Sequence, residues 1–188
     1  MTPEAIEKKW KTFESLLSRL EDDNVKKLVE FLGERIIMSP ASQRSDQYGA
    51  YPGGLVEHSL NVASLLRKAN EAYDHRLDTN SIIKVSLLHD IGKIGDLDNN
   101  LFIEQDSDWH REKLNQEYKY NENIPKMSIS HRTLFLLQHF GVALTRDEWV
   151  AIQLAQGSHF EENRFYAGHE PTLALALQQA KSVAIHKR

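Results

Sequence analysis

SLLHDIGKI, at residues 86–94, is the stretch that decides how this 188-residue chain folds. The apolar residues leading into it recur at helical spacing, which predicts a buried helix ending in the adjacent pair His89 and Asp90. Imidazole and carboxylate groups side by side offer a divalent metal one nitrogen and one oxygen ligand. Gly92 loosens the backbone after the pair, and Lys93 places a cation within reach of a phosphate. The alternative for the dipeptide alone is a histidine that favours the dipole at a helix C-terminus.

A second stretch, YPGGLVEHSLNV at residues 51–62, supplies a further candidate ligand. A Pro-Gly-Gly turn precedes a helix in which Leu55 and Val62 belong to the buried face. His58 lies one turn into that helix and close to this face, so its side chain is expected to point inward. The two stretches together predict that His58, His89 and Asp90 converge from two helices.

GGLVEHSLNV (53–62) followed by LLHDIGKI (87–94) resembles the HD-domain superfamily of metal-dependent phosphohydrolases, and most of all its small single-domain members from bacteria and phages. The resemblance extends from about residue 40 to the C-terminus. It implies an all-α HD-domain helical bundle with one divalent metal held by His58, His89, Asp90 and a distant Asp. It further implies that His131 is a ligand of a second metal. The sequence leaves the ion open among Mn, Mg, Co, Ni, Zn and Fe.

The last acidic ligand of that family is missing from this chain. The family carries it in a C-terminal helix with the pattern Leu-x-x-Ala-Asp, whereas LQQAKSVA at 177–184 places Lys181 at the acid position. An ammonium group cannot ligate a metal and repels a dication. Related sequences also carry a histidine before the glycine that is Gly157 here, where this chain has Ala155 and Gln156. We expect Lys181 to point into the cleft, where either Asp90 or a bound phosphate neutralises it.

Three functions follow from the resemblance. The first is a metal-dependent phosphohydrolase acting on a nucleotide or related phosphate ester, with Asp90 and Lys93 as catalytic residues. The second is a degenerate HD protein that binds a nucleotide without hydrolysis, and the third is a diiron oxygenase. The side chains expected to hold the phosphate in the first two are Arg44, Arg111, Arg132 and Lys181. His159 and His169, in a loop, are alternatives for replacing a missing metal ligand.

Length and composition set the remaining expectations. We expect a single domain over residues 1–188, with two covering helices in 1–38, an HD core in 40–188 and no sheet. A net charge of −4 gives no strong sign of a nucleic-acid or membrane partner, and the absence of cysteine excludes disulfides and thiolate metal sites. No leader or membrane-spanning run is evident, so a cytoplasmic location is expected. A homodimer through the covering helices stays open as an alternative.

Overall fold

The computed structural model describes residues 1–186, and most of them lie in α-helices. The helices are α1 (Pro3–Ser18), α2 (Asp23–Met38), α3 (Gly54–Ala72), α4 (Thr79–Leu88), α5 (Asp108–Leu114), α6 (Ile129–His139), α7 (Arg146–Leu154) and α8 (Thr172–His186). Short 3₁₀ helices cover Ile91–Ile94 and Glu161–Tyr166. The predicted all-α fold is confirmed.

A small antiparallel hairpin, formed by β1 (Phe102–Glu104) and β2 (Tyr118–Tyr120), departs from the expectation of no sheet. Each strand has three residues, which is too short for an alternation of apolar and polar residues to stand out in the sequence. The hairpin brings the Phe102 and Tyr120 rings together at 5.5 Å between centroids.

The first two helices begin where the sequence provides caps. The Thr2 hydroxyl accepts from the Ala5 amide ahead of α1, and the Asp22 carboxylate accepts from the first amides of α2. Their apolar faces, which include Phe13 and Leu32, join the core formed with α3 and α4. Both helices contact α3, and α1 also contacts α4. No helix within residues 1–186 combines the length and the apolar character needed to cross a bilayer.

Helix α3 lies at the centre of the helical packing, with α4 and α8 as its main contacts. Helix α7 packs on α8, and Val62, Val85, Leu154 and Leu177 come from these four helices into a second buried cluster. Burial of such side chains contributes about 1.5–3 kcal/mol each. This packing brings the first turns of α3, the end of α4 and the middle of α8 together.

The His89-Asp90 pair lies just after α4, because the α-helix ends at Leu88 and a 3₁₀ turn begins at Ile91. Helix α6 packs so closely here that a Cβ on Gly92 would come within 2.4 Å of the Ile129 carbonyl oxygen. Thr133 Oγ1 accepts from the Gly92 amide (2.9 Å) and donates to the His89 carbonyl (3.1 Å). One α6 hydroxyl therefore fixes the backbone on both sides of Asp90.

Candidate functional site

Three buried side chains form the centre of the site. His58 on α3 and the pair His89 and Asp90 each offer one ligand atom, and these atoms lie within 4.8 Å of one another. His58 Nε2 is 3.9 Å and His89 Nε2 is 3.6 Å from Asp90 Oδ2. The predicted convergence of the three side chains is therefore confirmed.

Both imidazoles are neutral acceptors at neutral pH. Burial lowers the pKa of His58 to about 2 and the pKa of His89 to about 4. His89 Nδ1 lies 3.0 Å from the Ser86 carbonyl, a contact that requires the proton on Nδ1 and leaves Nε2 as a bare acceptor. His58 Nε2, His89 Nε2 and Asp90 Oδ2 are all buried, and none of these three atoms has a hydrogen-bond partner.

Two side chains donate hydrogen bonds to Asp90, and a third forms an ion pair with it. Lys93 Nζ lies 2.8 Å from Oδ2, while Lys181 Nζ (2.9 Å) and Gln156 Nε2 (2.6 Å) both donate to Oδ1. Burial alone would raise the pKa of Asp90, but Lys181 and Lys93 outweigh burial and hold this pKa well below its usual range. Lys181, which is only 5% exposed, points into the cleft as the sequence predicts.

The two lysines respond differently to the same burial. Burial lowers the pKa of Lys181 to about 8 despite its contact with Asp90. Burial also acts to lower the pKa of Lys93, but Asp90 and the Tyr48 hydroxyl reverse its effect and the pKa rises. At neutral pH the cluster holds two ammonium groups, one carboxylate and two neutral imidazoles. One excess positive charge is therefore buried, and such a charge calls for an anion.

The cluster agrees with a divalent ion in ligand type but not in charge. Two bare imidazole nitrogens and a carboxylate are suitable ligands at suitable spacing. However, an ammonium group lies against each oxygen of Asp90, and a dication would add to the excess positive charge. Within residues 1–186 no fourth imidazole or carboxylate joins the group. The donor set therefore suits a divalent ion, while the two neighbouring ammonium groups oppose one.

The other predicted histidines lie apart from this centre. His131 is exposed in the first turn of α6, and His159 and His169 are exposed after α7. None of the three belongs to the cluster. Their proposed metal roles remain predictions.

The three predicted arginines also lie apart from Asp90. Arg44 is exposed and pairs with Asp46 at 2.6 Å, and Arg111 pairs with Asp108 at 2.5 Å. Arg132 is buried and donates to the Pro125 carbonyl at 2.9 Å. Since none of them contacts the cluster, their phosphate-binding roles remain predictions.

Sequence reasoning left three contacts unassigned. Gln156 was identified as a departure from the family pattern, but the pattern did not show that its amide reaches Asp90 Oδ1. The ring of Tyr48, in the segment before α3, lies against the His58 ring, with 4.6 Å between the ring centroids. The Tyr48 hydroxyl accepts a hydrogen bond from Lys93 Nζ at 2.8 Å. Thr133 gave no signal, because a threonine inside a helix is ordinary.

Comparison with protein families gives one match, to the family model described as HD domain, over residues 55–180. The matched range contains His58, the His89-Asp90 pair and Gln156, and it ends immediately before Lys181. Comparisons with curated proteins and with solved structures gave no significant match.

Proposed function

This chain belongs to the HD-domain family, and we propose that it binds a phosphate ester, with a nucleotide as the expected ligand, without hydrolysing it. HD domains bind divalent metals, but here two departures from the family pattern, Lys181 and Gln156, both donate to Asp90 Oδ1. That shared contact is the observation that carries the proposal. A cation and an amide therefore hold Oδ1, and Lys93 Nζ lies 2.8 Å from Oδ2, the oxygen nearest the two imidazoles, so a divalent ion would meet an ammonium group beside each oxygen.

The charges around Asp90 favour an anionic ligand. Lys93 and Lys181 together exceed the charge of the one carboxylate, so a phosphate group entering beside them would balance the buried excess. His89 Nε2, which carries no proton because the proton lies on Nδ1, can accept a hydrogen bond from a ligand hydroxyl or a protonated phosphate oxygen, and His58 Nε2 has no partner in the protein. The set thus offers both donors and acceptors to a phosphate ester.

Hydrolysis is disfavoured by the state of Asp90. Both of its oxygens face donors, and its pKa lies well below the usual range, which makes it a weak general base. Lys93, whose pKa is raised, can hold a phosphate but as an ammonium group cannot accept a proton from water.

Metal-dependent phosphohydrolysis with one divalent ion is the second candidate. The two buried imidazole nitrogens without partners favour it, because such atoms are suited to a metal. It requires Lys93 to leave its place beside Asp90 Oδ2, the oxygen that faces both imidazoles. No observation favours the diiron oxygenase, since the cluster in the described part of the chain offers three ligands.

Calorimetric titration of inorganic phosphate and of a nucleoside monophosphate, in the presence of a chelator, tests the proposal. We expect the wild-type protein to bind both and Lys181→Met to lose roughly tenfold or more in affinity, because a charge-assisted hydrogen bond disappears. Lys68→Met, which removes an exposed lysine from α3, is the matched control and should bind like wild type. Binding that needs added metal, or turnover of the nucleotide with Mn²⁺, would overturn the proposal.

Titration of Mn²⁺ into wild type and Lys181→Asp separates the two candidates. Replacing the ammonium with a carboxylate turns a repulsive neighbour into a ligand, so Lys181→Asp should bind Mn²⁺ more tightly. Equal affinities would mean that another residue already completes a metal site and would favour the hydrolase.

A further inference from the structure

Tyr48 separates two cavities that border the Asp90 cluster. A groove of about 800 Å³ contains His58 and Asn61 and reaches the end of α8 at Ala184. A cleft of about 190 Å³ on the other side contains Lys93 and Gln156. Tyr48 and its neighbour Gln47 line both spaces, and Tyr48 also contacts both His58 and Lys93. The Tyr48 side chain therefore lies between the histidine side and the lysine side of the cluster.

The contacts of Tyr48 explain how it keeps this position. Its ring lies 4.6 Å from the His58 ring and 5.0 Å from Lys93 Nζ, and its hydroxyl accepts from the same ammonium. The Ser42 hydroxyl donates to the Tyr48 carbonyl at 2.6 Å and holds the backbone. The side chain is nevertheless only partly buried, in an irregular segment that ends at Gly53. Its place depends on a few polar and ring contacts rather than on the apolar core.

We propose that Tyr48 is a specificity-determining residue that sets the size of the phosphate ligand; this inference rests on the proposed function. Pockets for drug-sized ligands measure roughly 300–1,000 Å³. The cleft beside Lys93 falls below that range, whereas the groove beside His58 falls within it. With Tyr48 in place, the lysine side accepts inorganic phosphate or a small phosphomonoester. A nucleotide whose phosphate lies beside Lys93 has to extend past Tyr48 into the groove, which breaks the hydroxyl contact with Lys93.

The ratio of two affinities tests this role. Inorganic phosphate and adenosine monophosphate are titrated, with chelator present, into wild type, Tyr48→Ala and Tyr48→Phe. In Tyr48→Ala we expect the affinity for adenosine monophosphate to rise roughly fivefold to tenfold relative to that for phosphate, because neither the ring nor the hydroxyl contact with Lys93 then has to be displaced on entry. Tyr48→Phe keeps the ring and should show a smaller rise.

Tyr73→Ala is the matched control, because Tyr73 is exposed just after α3 and lines neither the groove nor the cleft. Its affinity ratio should equal that of wild type. An unchanged ratio in Tyr48→Ala, or an equal rise in Tyr73→Ala, overturns the proposal. If Tyr48→Ala does not fold, Tyr48→Phe takes its place: a rise in its affinity ratio supports the proposal, and an unchanged ratio overturns it.

A second measurement does not depend on phosphate binding. Carbethoxylation of His58 by diethyl pyrocarbonate, followed by peptide mass spectrometry, reports access to the buried imidazole. We expect faster modification of His58 in Tyr48→Ala than in wild type and no change in Tyr73→Ala. Equal rates in all three proteins overturn the separating role. Faster modification without any phosphate binding confirms that Tyr48 is the barrier and rejects the proposed function instead.

Discussion

The two sides of Asp90 carry the same charge but are built in different ways. Oδ2 faces Lys93, three residues further along the same turn. Oδ1 faces Lys181, which is 91 residues away on α8, together with Gln156 just after α7. On the Lys93 side, the Thr133 hydroxyl of α6 hydrogen-bonds to the backbone of the turn. On the Lys181 side, the packing of α3 against α8 holds the lysine in place.

The difference shows where this fold can change its chemistry. Ala180 and Ala184 lie on the same helix as Lys181 and belong to the buried apolar cluster that holds α8. This packing does not depend on the side chain at position 181. Lys93 lies in a turn whose backbone is tied by Thr133, so its position is fixed by the fold. A substitution at the Lys181 side can therefore replace a ligand by a cation without loss of the helix.

Removing the carboxylate that both sides share should have the largest effect. Asp90→Asn leaves two buried ammonium groups without an anion, and we expect a loss of about 3–5 kcal/mol in the free energy of unfolding. Urea denaturation followed by circular dichroism measures it. Glu71→Gln, which breaks the exposed pair with Arg67, is the control and should cost about 0.5 kcal/mol or less. A loss as small as the control's would show that the lysines do not depend on Asp90.

Removing the α6 contact tests the Lys93 side. Thr133→Val keeps the shape of the side chain but leaves the buried Gly92 amide and His89 carbonyl without this partner. The expected loss is about 1–3 kcal/mol in the free energy of unfolding. Thr133→Ser keeps the hydroxyl and should recover most of it. If serine and valine behave alike, packing rather than hydrogen bonding fixes the turn.

Removing the amide tests the Lys181 side. Gln156→Leu deletes one donor to Asp90 Oδ1 while Lys181 remains, so the expected loss in unfolding free energy is about 1 kcal/mol. Gln179→Leu, on the exposed face of α8, should stay within about 0.5 kcal/mol of wild type. Chemical denaturation of both variants gives the comparison. A Gln156→Leu value as large as that of Asp90→Asn would mean that the amide, not the lysine, secures this side.

The smallest effect is expected outside the cluster. Arg44 is exposed and already paired with Asp46, so Arg44→Gln should change the affinity for inorganic phosphate by about twofold or less. Calorimetry under the conditions used for Lys181→Met measures this directly. A tenfold loss would show that Arg44 reaches the ligand, as the sequence predicts.

The sequence by itself determined the helices and the faces that they bury. Thr2, Asp22 and the Thr145–Glu148 capping box mark helix starts that the structure reproduces. The residues around His58 and Asp90 placed both side chains inward, as observed. These features depend on residues within one or two turns of each other, so local spacing is enough to predict them.

Only the tertiary structure decided which atoms meet around Asp90. The convergence of Gln156 and Lys181 on one oxygen, the tilted contact between the Tyr48 and His58 rings and the hairpin of β1 and β2 have no local pattern behind them. Gln156 and Lys181 lie far from Asp90 in the chain, the segment that carries Tyr48 is irregular up to Gly53, and the hairpin strands are too short to show a period. Such contacts depend on how helices and loops pack, and packing is set by the whole core rather than by neighbours in sequence.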